Sequence, residues 1–529
     1  MSIIKSLLKM RKKKEYPVQI EEAAVAGPDL KSMNLEQLKE KVKAEFGSTV
    51  DLSMDELKTE GKDALLIYLT TMIDTKLLKE TILQSISGKE DGFKLTTEDD
   101  LKSLCKGKFG GAGYQLIGSF DEIITSLLYG NIIILFKDME KALSLSMAIG
   151  EDRSITEPST QTVIRGPKDG FVESINTNVS LLRRRIKNRN LRFEKFIIGS
   201  ETNTFVYIGY MEGTANEKIV GEVRKRLGQI KVNAIFESGN IEELIADKSA
   251  TPFPLALNTE RPDAVASNLL EGKIAILVDG TPFVLVVPAV LVDFFSIAED
   301  YYQNFMMGSF LRIIRYLSFM IALITPSLYV GILTFHHELL PTPLLLGIIA
   351  QREGVPFPAV IEVLLMEVTF EILREAGVRM PRAVGQTVSI VGALVIGQAA
   401  AEAGIISNIM VIIVAIPAIA NFVSPTYSFA AAARLLRFLL IIVSAFLGLY
   451  GVLIVLVFIV AHLSSLRSFG VPYLSPVAPF LIEQQKDVFF RFPIWSMRKR
   501  PAYLKTQNPE KFPKTGSPSP PPMKGDQSN

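Results

Sequence analysis

The chain has 529 residues, 48% of them hydrophobic and 21% charged, with a formal net charge of +2 at pH 7 and a single cysteine, Cys105. One cysteine excludes an intrachain disulfide, and so small a net charge points to no class of partner. Four runs without Asp, Glu, Lys or Arg, Tyr316–Phe335, Ala383–Ala401, Ala403–Ala433 and Phe438–Leu466, are each about as long as a bilayer core requires, roughly 20 residues, which excludes a purely soluble enzyme.

In chain order, Met1–Lys14 has its apolar positions broken by Lys5 and Lys9, so no signal-peptide core is expected and the polar half should stay in the cytoplasm. The Arg11–Lys14 cluster is either a solvated tail or a contact for anionic lipid. Residues 1–60 are Lys/Glu-rich and read as a charged flexible arm with one helix near Leu35–Phe46. Residues 61–150 read as a first cytoplasmic subdomain. Asp63–Gln84, with apolar Leu65, Leu66, Leu69, Met72, Ile73, Leu77 and Leu78, predicts a helix by its spacing, and Thr97–Asp100 predicts a helix start. Gly110–Gly113 lacks the following Lys-Ser/Thr of a phosphate cradle and reads as a loop. Ser119–Tyr129 predicts a helix and Asn131–Phe136 a buried strand.

Residues 151–300 read as a second cytoplasmic subdomain. Strands are expected at Phe193–Gly199, Thr204–Met211 and Ala234–Phe236, and helices at Ala215–Leu227 and Ile241–Asp247. Asp279-Gly280 between Lys273–Val278 and Phe283–Val287 is a hairpin signal. Ala289–Tyr302 predicts an apolar-rich helix at the membrane surface. Strands and helices without a regular βαβ repeat make this a two-part α/β (α+β) region, followed by an α-helical multi-span membrane domain at residues 301–485.

Basic residues favour cytoplasmic loops. Arg312 and Arg315, then Arg374, Arg379 and Arg382, then Arg434 and Arg437 place three loops inside and give about five crossings, with the C-terminus outside. The basic stretch Arg491–Lys505 prefers the inside, so the side of the tail stays open. Residues 486–529 are basic and Pro-rich, and their end is expected to be disordered.

The sharpest chemical anomaly is Ala359–Arg374, apolar yet carrying Glu362, Glu367 and Glu371. At about 100° per residue, Glu367, Glu371 and Glu375 form one narrow stripe, and Glu362 falls off it by roughly half a turn or less. An acid in hydrocarbon costs on the order of 2.5 kcal/mol or more, so the stripe must meet water, protein or arginine. One reading is a helix lining a cation pathway, joined by Gln386, Gln398 and Glu402. The other is an interfacial helix, or glutamates satisfied by Arg374, Arg379 and Arg382. Gly385, Gly392 and Gly397 permit close helix packing, and Pro326 and Pro417 mark hinges or silent kinks. Arg183, Arg184, Arg185 and Lys187 form a basic patch for anionic lipid or an acidic neighbour, with nucleic acid as a further reading. His336-His337-Glu338 reads as a membrane-edge loop rather than a metal site. No metal, cofactor or catalytic constellation is expected, and the chain reads as a non-enzyme.

Six stretches, in order, carry a resemblance: Gln161–Glu173 (QTVIRGPKDGFVE), Asn178–Ile186 (NVSLLRRRI), Asp279–Phe283 (DGTPF), Asp293–Tyr302 (DFFSIAEDYY), Leu340–Pro343 (LPTP) and Arg382–Gln398 (RAVGQTVSIVGALVIGQ). Together they resemble the A subunits of the GerA family, the spore germinant receptors of endospore-forming bacteria. The resemblance covers about residues 150–480. It implies a multi-pass protein of the spore inner membrane with a cytoplasmic N-terminal domain. It also implies a polytopic B subunit and a lipoprotein C subunit as partners. Self-association into a pentameric channel that releases monovalent cations when germinant arrives is implied too. A paralogous channel or scaffold encoded with the dipicolinate-release proteins, or a secondary transporter, are the alternatives.

Overall fold

The computed structural model describes residues 30, 34–58, 63–74, 78, 113–137, 139–147, 157–158, 160–380, 392 and 395–513. They fall into two compact units. The first comprises the described residues of Met1–Val42, Ser53–Leu69 and Ile73–Ala148, and the second those of Lys43–Leu52, Thr70–Met72 and Ile149–Asn529. Thr97–Asp100, Gly110–Ala112 and the end of the tail lie outside the described residues.

Helix α1 (Leu35–Phe46) has the expected bounds. The sheet of the first unit is ordered β1 (Leu52–Lys58), β2 (Asp63–Leu69), β4 (Asn131–Phe136), β5 (Ala142–Ser146), β3 (Tyr114–Ile117). The pairings of β2 with β4, β4 with β5 and β3 with β5 are antiparallel. Helix α2 (Phe120–Leu128) is N-capped by Ser119 and buries Phe120, Ile123, Ile124 and Leu127. The helix expected from Asp63 is a strand instead: six consecutive residues of β2 are buried. An interior strand covered on both faces reads as a continuous apolar run, which periodicity confuses with a buried helix. The stretch expected as a flexible arm thus supplies both α1 and β1.

In the second unit a five-stranded antiparallel sheet is ordered β6 (Leu191–Ile198), β7 (Thr204–Met211), β9 (Ile274–Val278), β10 (Val284–Val287), β8 (Leu257–Thr259). Its side chains alternate between two cores. Leu191, Phe193, Ala275 and Leu277 join α3 (Ile175–Arg185) and α6 (Pro262–Glu271). Val206, Ile208, Ile276 and Leu285 join α4 (Glu217–Gln229) and α5 (Ser238–Ile245) on the other face. The β9–β10 hairpin forms as its Asp-Gly turn predicts, with Leu285 opposite Ile276 and Gly280 at φ +90. Ala234–Phe236 forms no strand. Ala289–Tyr302 is not a helix but two 3-10 turns, Leu291–Phe294 and Ala298–Tyr301. Asp293 accepts from the Val290 N–H (2.8 Å) and Asp300 from that of Ile297 (3.5 Å), local bonds that compete with helical ones.

The remainder of the unit is helical: α7 (Phe305–Phe335), α8 (Thr342–Arg352), α9 (Ala359–Arg379), a short stretch at 395–402, α10 (Asn408–Asn421) and α11 (Tyr427–Ser465). Two of these, α7 and α11, are long and apolar enough to cross a membrane. The run Ala403–Ala433 is not one span: it holds the 14-residue α10 and the start of α11.

The expected crossing Phe438–Leu466 also differs. Gly448, at φ 60 and ψ −149, separates α11 into two helical arms. A straight helix of this length would reach about 58 Å. Yet the Phe253 ring lies 6.2 Å from that of Phe429, near the start of α11, and 6.3 Å from that of His462, near its end. The element is therefore a helical hairpin. Leu436, Leu440, Val452, Val455 and Ile459 share one apolar cluster between its arms. Gly331 of α7 faces the turn, where an added Cβ would stand 2.8 Å from Ser444 Oγ and 3.1 Å from the Leu449 nitrogen. Both free ends return to the β6–β10 sheet. The following segment stays there: Tyr473 O accepts from the Leu291 N–H, Leu504 O from Asn216 Nδ2, and Leu270 O from Arg500 Nε.

Candidate functional site

The carboxylates of α9 meet arginines of the same chain. Glu367 Oε2 lies 3.1 Å from Arg437 Nη2, both side chains being 2% exposed. Glu371 Oε1, one turn on, lies 3.2 Å from Arg434 Nε, 3.5 Å from Arg374 Nη1 and 3.7 Å from Arg437 Nη2. The i, i+4 spacing on α9 faces the i, i+3 spacing of Arg434 and Arg437 on the first arm of α11, so two turns of each helix are cross-linked. Three guanidiniums surround two carboxylates, and a cluster so composed does not attract cations. Buried charges require such partners. Glu367 Oε1 and Arg437 Nε are nonetheless buried without a hydrogen-bond partner among the described residues.

Glu362 joins two other helices. Its Oε1 lies 3.1 Å from Arg352 Nη2 of α8, and its Oε2 accepts from the backbone N–H (3.0 Å) and Oγ (3.2 Å) of Ser407, the N-cap residue of α10. A carboxylate at a helix N-terminus satisfies free N–H groups and complements the dipole. Glu375 is exposed and paired with Arg379 at 2.5 Å. Gln398 Nε2 donates to Glu402 Oε1 at 2.8 Å on the exposed stretch 395–402. Of the seven residues expected along a cation path, Glu367 and Glu371 come together, while Glu362, Glu375, Gln398 and Glu402 stand apart. Gln386 and Gly385 lie outside the described residues.

A Cβ on Gly392 would meet Leu373 Cδ2 at 3.1 Å, and one on Gly397 would meet Val411 Cγ1 at 3.2 Å, so both serve close packing. Pro326 and Pro417 sit buried inside α7 and α10. The expected basic patch loses one member to the interior. Arg183 is 1% exposed and paired with Asp51 at 2.8 Å, and Arg185 pairs with Asp169. Arg184 is half-buried and Lys187 exposed.

A second charged junction is not apparent from the sequence. Arg312 and Arg315 of α7 are buried on Asp300, at 3.2 Å (Arg312 Nε) and 2.9 Å (Arg315 Nη1), and Arg312 Nη1 also reaches Asp487 Oδ1 at 2.8 Å. Above it Phe429 stacks on Phe294 and Phe319, with ring centroids 5.3 and 4.8 Å away, and meets Phe295 edge-on at 5.1 Å. The foot of α7, the start of α11 and the sheet's 3-10 turns are thus one packed joint. Arginines at the borders of apolar runs are the available signal, but the same residues serve as topology markers, and that use hides them as partners.

These features define an α/β protein carrying a helical, apolar domain in which the carboxylates of α9 are paired with arginines of the same chain. The chain belongs to the family described as Bacillus/Clostridium GerA spore germination protein, which it matches over residues 40–503. It is 46% identical to spore germination protein KA of Bacillus subtilis over 94% of this chain and 92% of that protein. It is 40% identical to spore germination protein A1 of the same organism, over 85% and 91%. The crystal structure of the N-terminal domain of the A subunit of the Bacillus megaterium spore germinant receptor GerK3 is also similar, at 33% identity and a TM-score of 0.39, covering 49% of this chain and 96% of that one.

Proposed function

We propose that the chain is the A subunit of a nutrient germinant receptor in the spore inner membrane. In this reading its helical domain assembles with further copies of itself, five by resemblance, into a germinant-gated channel for monovalent cations. A polytopic B subunit and a lipoprotein C subunit complete the receptor. Family membership across nearly the whole chain supports the part in germination. The observation that carries the mechanism is the Glu367–Arg437–Glu371–Arg434 cluster, a packed charged contact between two helices of the apolar domain. Such contacts have discrete alternatives rather than a continuum. In the resting arrangement arginines hold the carboxylates. A shift of α9 along α11, biased by nutrient bound on a partner, would release Glu371 toward the passage between copies, joining Glu375 and Glu402. The hairpin of α11 sends the tail back to the sheet, which supports a reading in which sheet and tail share one side of the membrane, the cytoplasmic side favoured by their basic residues.

The test is conductance of the purified oligomer in planar bilayers, paired with potassium release from germinating spores. Replacing Glu371, Glu375 and Glu402 by Gln should lower cation over anion selectivity and slow release at unchanged protein level. Unaltered selectivity and release would remove these residues from the pathway, and an oligomer that never conducts would remove the channel.

A further inference from the structure

The segment after the helical hairpin carries a row of exposed apolar side chains: Phe480, Ile482, Phe490, Phe492, Ile494 and Trp495. So many exposed large apolar side chains within sixteen residues are costly in water, and such a concentration marks an interaction site. Its position is fixed by contacts to the foot of α7. Ser309 Oγ donates to Arg491 O at 3.0 Å and accepts from the Arg491 N–H at 3.0 Å. Tyr316 and Phe489 have ring centroids 5.1 Å apart, and Arg312 holds Asp487. Residues 487–491 therefore run beside the first turns of α7. There the exposed Met306, Met307 and Phe310 begin its apolar surface, and the buried Arg312–Asp300 pair marks the polar boundary.

We propose that residues 477–495 form an interfacial membrane anchor, lying in the headgroup layer on the sheet's side of the bilayer, with Trp495 at the boundary. This rests on the reading of the helical domain as membrane-embedded. The occupant of the patch is lipid for two reasons. Residues 487–491 are tied to the first turns of α7, which carry the exposed Met306, Met307 and Phe310, and the segment has the composition of a bilayer boundary: exposed aromatic side chains beside the exposed Lys486 and the Lys499–Glu483 pair. Its backbone turns are short 3-10 pieces, Ile482–Asp487 and Ile494–Ser496, which fit a layer where water still reaches the peptide groups and not the hydrocarbon core. Anchored in this way, the segment fixes the depth of the joint at which the sheet meets α7.

Trp495 is the only tryptophan of the chain, so native fluorescence reports on this segment alone. The full chain is reconstituted in nanodiscs of phosphatidylcholine and phosphatidylglycerol. The phosphatidylcholine is brominated either near the carboxyl end or near the methyl end of its acyl chain. The expected result is loss of Trp495 emission with bromine near the carboxyl end, a smaller loss with bromine near the methyl end, and resistance to acrylamide. A reporter carrying Val457→Trp in a Trp495→Phe background, in the middle of the second arm of α11, tests the embedding itself. If that reporter is quenched by lipid and Trp495 is not, the anchor is overturned: acrylamide quenching of Trp495 then places the segment in water, and acrylamide resistance places it against another protein surface. If neither is quenched, the membrane reading fails and the anchor with it.

Discussion

Arg437 Nη2 and Glu367 Oε2 stand 3.1 Å apart, each side chain 2% exposed, on two different helices of the apolar domain. Removing one partner strands the other charge, which costs about 3–5 kcal/mol, whereas replacing both by apolar side chains of similar volume is close to neutral. Arg437→Met should therefore sharply lower the amount of folded protein recovered from spore membranes. Arg437→Met with Glu367→Leu should restore most of it. Recovery in the double variant without recovery of germination would separate folding from gating. If the single variant alone is harmless, the pair does not hold the domain together.

Gly448 gives the second prediction. Its φ of +60 with ψ −149 is open almost only to glycine, and an added Cβ would stand 2.8 Å from His336 Cε1 and 2.9 Å from Phe335 Cβ. Backbone strain and overpacking each cost about 1–3 kcal/mol, so Gly448→Ala should destabilise the chain by about 2–6 kcal/mol. Thermal unfolding in detergent would measure it. A variant of wild-type stability would mean that the arms do not turn at this residue.

Arg183 and Lys187 form a third contrast. Both belong to the run expected as an interaction patch, but Arg183 is buried on Asp51 and Thr49, its Nη2 lying 2.9 Å from Asp51 Oδ1 and 3.0 Å from Thr49 Oγ1, while Lys187 is exposed. Burial raises the Asp51 pKa, but the Arg183 charge and its hydrogen bonds outweigh it and leave the group below the ordinary range. A depressed carboxyl stabilises above its unfolded pKa and loses that contribution as pH falls through the folded value. Arg183→Ala should cost about 3–5 kcal/mol and flatten the acid limb of the stability profile. Lys187→Ala should stay within about 0.5 kcal/mol of wild type. Equal effects from the two would restore the surface reading.

The strands β6, β7, β9 and β10 and the hairpin between the last two are legible in the sequence, because alternation and the Asp279-Gly280 turn are local signals, whereas the three-residue β8 is too short to show. The strand β2 is not, because burial on both faces erases the period of two. The direction of the helical domain is hidden for a different reason. Hydropathy measures length, and nothing in the apolar run Phe438–Leu466 says that it turns; only Gly448, beside Gly451, marks the place. With that turn the chain after α11 lies back against the β6–β10 sheet rather than a helix length away from it. The carboxylates of α9 are conspicuous in the sequence, and so are the near partners Arg374 of Glu371 and Arg379 of Glu375, but Arg434 and Arg437 lie 63 to 70 residues beyond Glu371 and Glu367, and a pairing at that distance leaves no periodic trace.

Glu242 of α5 provides the last prediction. Burial, helped by the negative charge of Glu237, raises its carboxyl to about 7. Here the sign is opposite to that of Asp51. The folded chain keeps a proton that the unfolded chain has released, so stability is full below the unfolded value near 4.5 and declines as pH rises toward 7. The loss amounts to about 3 kcal/mol across that interval. Glu242→Gln mimics the protonated form and should remove the decline, leaving the variant more stable than wild type near neutral pH and indistinguishable from it at low pH. Thermal unfolding of the full chain at both ends of the interval measures the difference. Parallel profiles for the two proteins would show that the carboxyl titrates in open water and that burial on α5 does not raise it.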